Sequence, residues 1–171
     1  MTRVHKFIDE AIRIAEDDSH GYSQLNRWGP GFDCSSLAYH CATVAGYNVP
    51  TSGTRYSETV IEHFTKAGWR CDEFDGNLYD LDPGDILLNF KNHVAIYIGN
   101  GQLVEASCDE NGDIVGPKHG DQTGEEIHIA PVYNYPWTHV LTAPTEDSTP
   151  TTTNELIETL EYALRLAREM Q

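Results

Sequence analysis

The apolar residues of this chain keep two different periods, and the change falls near Trp69. Before it, Val4, Phe7, Ile8, Ala11, Ile12 and Ala15 recur at the spacing of one helical face. A second helix is predicted over 34–45, closed by Gly46, and a third over 57–67 after the turn "NVPTSGT". Beyond Trp69 the pattern is one of short strands parted by turns: "WRCDEF", "GDILLNF", "HVAIYIG", "QLVEAS", "EIHIAP" and "THVLTA". Helices first and neighbouring strands second predict an α+β domain, with the helices packed on one face of an antiparallel sheet.

The chain has 171 residues, enough for one domain with a hydrophobic core. We divide it into a principal domain over 1–143, a Thr- and Pro-rich linker over 144–153, and an amphipathic helix over 154–171 with Leu156, Leu160, Ala163, Leu164 and Ala167 on one stripe. A stripe of that kind on a tethered helix must be buried somewhere, and we expect it to join copies of the chain into a homo-oligomer. With 27 acidic and 11 basic residues the formal charge is −16, which repels nucleic acid and anionic membrane alike. No segment is apolar for long enough to span a bilayer, and residues 1–18 lack the unbroken apolar core of a signal peptide. The four cysteines, Cys34, Cys41, Cys71 and Cys108, show neither CxxC spacing nor scaffold density, so reduced thiols and cytoplasmic synthesis are expected. The acidic "CDENGD" lacks the ligand spacing of a calcium loop, and no metal or cofactor is expected.

One cysteine stands apart. In "GYSQLNRWGPGFDCSSLAYH" a glycine-rich loop turns into a helix at Cys34, where the partial positive charge of a helix N-terminus favours a thiolate. A thiol nucleophile needs a base, and of the eight histidines His93 has the best context, opening a strand that follows the turn "DPGD". His5, His20, His40, His63 and His139 have no comparable setting. Each feature alone has a plain structural alternative: Asp33 caps the helix, Cys34 fills core, and His93 meets solvent at a strand edge.

Together, "FDCSSL", "DPGDILL" and "HVAIYIGNGQLVEAS" resemble, in order, the signature blocks of the NlpC-type papain-like cell-wall hydrolases, which include phage peptidoglycan amidases and endopeptidases. Phrases such as "GDQTGEEI" and "VYNYPW" are also similar to phage lysins. The resemblance implies a papain-like α+β fold, Cys34 as nucleophile, His93 as general base, and Tyr22, twelve residues before the nucleophile, as an aid to substrate and oxyanion. It further implies that Asp33 and Ser35 line the pocket. Trp28, beside the loop, is a candidate for substrate contact, whereas Trp69 and Trp137 read as core.

The third catalytic position departs from the family pattern, in which a histidine usually stands twelve residues after the base. Here that residue is Glu105, whose carboxylate would orient the imidazole; Gln122, His119 and His128 remain alternatives. Residues 108–126 read as a polar loop rimming the groove, where wall specificity would reside. The implied activity is hydrolysis of an amide in the peptide stem of bacterial peptidoglycan, as muramoyl-L-alanine amidase or γ-D-glutamyl endopeptidase. The implied setting is an enzyme made in the cytoplasm that reaches the wall through a holin-type pore or from a virion. An acyltransferase of the same fold and a non-catalytic wall-binding module are the alternatives.

Overall fold

A computed structural model describes residues 1–108, 112 and 120–145. Helix α1 (Arg3–Ala15) is capped by Thr2, whose side chain accepts the His5 amide, and buries Phe7, Ile8, Ala11 and Ile14. Helix α2 (Cys34–Val44) ends before Gly46, whose φ of +86° is the left-handed turn a glycine makes without steric cost. The third predicted helix divides into a 3₁₀ turn, Tyr56–Thr59, and α3 (Val60–Lys66).

Among the described residues six strands follow: β1 (Arg70–Glu73), β2 (Ile86–Asn89), β3 (His93–Gly99), β4 (Gln102–Ala106), β5 (Ile127–Pro131) and β6 (His139–Thr142). They form one antiparallel sheet in the order β1-β6-β2-β3-β4-β5. The β3–β4 hairpin turns at Asn100 and Gly101, with φ of 53° and 72°, the paired positive values that a two-residue Asn-Gly hairpin adopts. All six strands fall within the segments expected from the sequence.

The sheet is covered on both faces. Ile86, Leu88, Val94, Ile96, Val104, Ala106, Ile127 and Leu141 pack with the helices. On the opposite face Leu87, Ala95, Tyr97 and Leu103 pack with Leu81 and Trp137, supported by Phe74, Leu78, Tyr133 and Tyr135. The two-residue alternation of a strand therefore places Glu105, in step with Leu103, and His93, in step with Ala95, on the Trp137 face. No helix among the described residues is long and apolar enough to cross a membrane. The expected helix 154–171, nearly all of the linker, His119 and much of the 108–126 loop lie outside the described residues.

Candidate active site

The start of α2 is over-determined. Asp33 is the N-cap: its Oδ1 accepts the amides of Ser35 and Ser36, each at 2.9 Å, while Ser36 Oγ accepts the Asp33 amide at 2.9 Å. Beneath this box lies Arg27. Its Nη2 donates to Ser35 Oγ at 2.6 Å and to Asp33 Oδ1 at 3.2 Å, and its Nε sits 2.5 Å from Asp33 Oδ2, a close charge contact outside hydrogen-bond alignment. The guanidinium also lies over the rings of Tyr56 and Trp28, at 4.7 and 5.2 Å. Asp33 and Ser35 have no exposed surface. The expectation that they line the pocket is corrected accordingly: their polar atoms are turned inward onto Arg27 and the helix amides, and they hold the loop that presents Cys34.

Cys34 is the first residue of α2 and keeps part of its surface. The backbone amides of Ser35 and of Val94, the residue after His93 on β3, favour the charged form of its thiol, and Cys34 packs against the core cluster that contains Val94. The expected lowering of its pKa does not occur. Burial, and then the Asp33 charge, push the thiol up to about 12, outweighing those two amides and Arg27.

The other half of the site lies on the sheet. His93 Nε2 and Glu105 Oε2 are 2.6 Å apart, leaving Nδ1 as the free ring nitrogen. The His93 ring stacks on Trp137, centroids 5.8 Å apart and planes at 25°, and meets the edge of Tyr135 at 5.6 Å. Glu105 is only 6% exposed, and burial alone would raise its pKa; hydrogen bonds from His128 and His93, the His93 charge and the Tyr133 hydroxyl reverse this and hold it at about 2. The carboxylate at Oε2 also accepts Tyr133 Oη–H at 2.8 Å, while Oε1 lies 3.4 Å from His128 Nε2.

Of the alternatives for the third position, His128 touches Glu105, and Gln122 joins a different group: its amide donates to Glu126 Oε1 at 3.3 Å and its Nε2 to Gly120 O at 2.6 Å. Glu126 also accepts the Tyr22 amide at 2.8 Å, tying this loop to the strand-like pairing of Tyr22 with Phe32. The approach is so close that a Cβ on Gly21 would stand 2.1 Å from Gly120 O. The Tyr22 phenol is buried near Cys34, and both burial and the Cys34 charge raise its pKa. Trp28 is 48% exposed and packs on Tyr39 at 6.1 Å. Sequence reasoning missed Arg27, Tyr133 and Tyr135, and read Trp137 as core alone. The signal available for the last three was the quoted aromatic run "VYNYPW".

The family described as endolysin-like domain matches residues 103–163. "Probable endopeptidase p60" of Listeria monocytogenes is 31% identical over 119 residues, 67% of this chain and 22% of that protein. The Listeria seeligeri protein of the same name is 30% identical over 119 residues, 67% of this chain and 20% of the relative, so the chain spans about a fifth of the length of these relatives. Among solved structures, the peptidoglycan hydrolase RipB of Mycobacterium tuberculosis matches with a TM-score of 0.52 at 20% identity, covering 84% of this chain and 67% of that one. RipD of the same organism, described as a non-catalytic NlpC/p60 domain protein adapted to peptidoglycan binding, matches with a TM-score of 0.52 at 18% identity, covering 84% and 98%. The mixed helix and antiparallel-sheet fold is that of NlpC/p60 domains, and the endolysin-like and p60 matches make this chain similar to the NlpC-type peptidoglycan hydrolases.

Proposed function

We propose that the chain is a cysteine hydrolase that cleaves an amide bond in the peptide stem of peptidoglycan. The observation that carries this reading is the junction of α2 with β3: Cys34 at the helix start packs against the cluster that holds Val94, the residue after His93, while His93 is oriented through Nε2 by a buried, ionised Glu105.

The chemistry follows from these positions. His93 Nδ1 takes the Cys34 proton as Sγ attacks the amide carbonyl carbon, so the thiolate forms in the step that uses it. The tetrahedral oxyanion is met by the Cys34 N–H, an amide of the first helical turn with no carbonyl one turn earlier, and by Tyr22. The imidazolium then protonates the departing amine, the thioester remains on Cys34, and water releases the acid. Glu105 stays ionised throughout and favours the imidazolium. The bond is a muramoyl-L-alanine or γ-D-glutamyl amide, and the endolysin-like match supports wall degradation after holin-type release or from a virion.

One observation favours a second reading. The thiol is held near 12, and RipD, of the same fold, is described as non-catalytic, so a wall-binding module is the competing use of this shape. Mass spectrometry of muropeptides released from purified walls by the wild type and by Cys34→Ser decides between them. Release by the wild type that is lost in Cys34→Ser supports the hydrolase. Equal wall binding by both proteins, with no release by either, supports the module. A product extended by an added amine would move the reaction to acyl transfer.

A further inference from the structure

Glu105 is served from three separate pieces of chain: His93 from the start of β3, His128 from β5, and Tyr133 from the connection between β5 and β6. Resting on the hydrolase reading, we infer that Tyr133 and His128 are positioning residues of the reaction, acting through Glu105 to fix the ring of His93.

A glutamate's last torsion is broad, so burial alone does not set the plane of its carboxylate. Donors on both oxygens do. Tyr133 shares Oε2 with His93, at 2.8 and 2.6 Å, and His128 sits 3.4 Å from Oε1. The register supports the arrangement from below: Glu105 pairs directly with His128 across β4–β5, and with Ala95, two residues along from His93, across β3–β4. His128 is itself anchored, its Nδ1 lying 2.6 Å from Glu125 O, which leaves Nε2 to face the carboxylate.

Tyr133 belongs to a unit that grips His93 twice. The Trp137 indole stacks on the imidazole, and its Nε1–H donates to Tyr133 O at 3.4 Å, so the chain that places the phenol on Glu105 also places a flat apolar wall on His93. Tyr133 and Tyr135 meet edge to face at 5.9 Å, which braces the phenol from its other side. The carboxylate is thereby held ionised and in one plane, which is the condition for Nε2 to carry the proton and for Nδ1 to face the thiol as a base.

Tyr133→Phe removes one oxygen and keeps the ring, which makes it the cleanest probe. In muropeptide release it should lower kcat about tenfold while KM stays within about twofold, the signature of a loss confined to the transition state. His128→Gln, which keeps an N–H donor, should retain more activity than His128→Ala. In a Glu105→Ala background Tyr133→Phe should cost nothing further, because the group through which it acts is gone. A second readout needs no substrate: the His93 Nε2 proton, followed by nitrogen-15 NMR of the folded wild type, should be protected from exchange, and the protection should be lost in Tyr133→Phe/His128→Ala. Unchanged protection in that double variant, or full losses that multiply on Glu105→Ala, would overturn the inference. If the wild type releases no muropeptides the hydrolase reading fails by itself, and the NMR comparison still decides whether these two residues fix His93.

Discussion

Replacing Glu105 by Gln keeps the size and shape of the side chain and removes its charge, and the consequence for folding is calculable. The carboxyl is held at about 2 against an ordinary 4.5, and it is nearly fully buried, so solvent screening takes little from the interaction. At about 1.36 kcal/mol per pKa unit, the depression is worth roughly 3 kcal/mol of stability. A depressed carboxyl stabilises the fold above its unfolded value and loses that contribution as pH falls through the folded one. The contribution is thus nearly complete at about pH 6 and down to roughly 1.4 kcal/mol at about pH 3. The upper boundary comes from the partner. Glu105 raises the pKa of His128, and a raised histidine stabilises below its unfolded value and ceases to do so once pH passes its folded value, so part of the same pair energy fades on the alkaline side of about 6.5. Urea titrations of wild type and Glu105→Gln, followed by tryptophan fluorescence with Trp137 as a local reporter, should differ by about 3 kcal/mol near pH 6 and converge toward acid. A difference that is the same at about pH 6 and about pH 3 would refute the claim that an ionised carboxylate, rather than the shape of the side chain, holds this corner of the fold.

Cys34, with its thiol pushed up to about 12, should react with iodoacetamide at a rate that keeps rising with pH through the alkaline range, as followed by intact-protein mass spectrometry. A plateau reached near neutrality would show a resting thiolate and end the neutral-thiol mechanism. Arg27→Met should destabilise the domain by about 3–5 kcal/mol in urea, since it strips the buried Asp33 carboxylate of its counter-charge, whereas Arg27→Lys should recover part of the loss without the two-pronged contact to Asp33 and Ser35. A loss below about 1 kcal/mol for Arg27→Met would mean that the helix amides alone satisfy Asp33.

Periodicity made the fold legible because it reports which side of an element is dry. The Asn-Gly turn and the glycine closing α2 are local signals whose backbone angles match what those residues favour. What periodicity did not reveal is the second covered face of the sheet, although β2 carries the clue: Ile86, Leu87, Leu88 and Asn89 are all buried, a continuous run where a one-sided strand would alternate. The cover for that face comes from Leu81 and from Tyr133, Tyr135 and Trp137, residues in connections with no period to read. In the candidate site, the family resemblance pointed to Cys34, His93 and Glu105, which lie at one helix start and on two paired strands. Arg27 was not, since a single cation in a loop announces nothing until the buried carboxylate it serves is seen.

The state of Cys34 and the substitution at position 105 are linked by the same electrostatics. A helix N-terminus acts on a thiol through exposed amides, yet here Asp33 accepts two of the first amides of α2 and brings a negative charge to the residue beside the sulfur. Burial then adds its own penalty to the charged form, so the helix cannot supply a thiolate in advance. In the proposed reaction, the driving force for proton transfer would then come from the acceptor's side. A carboxylate behind His93 stabilises imidazolium by a full charge at hydrogen-bond distance, more than a neutral ring in the same place could. That carboxylate is itself buried, and without donors it would take up a proton and lose the property for which it is useful. His128 and Tyr133 prevent this. Under the proposed mechanism the capped cysteine and the thrice-bonded glutamate are two sides of one arrangement: the deeper the thiol's proton is held at rest, the more strongly a receiving histidine has to be backed.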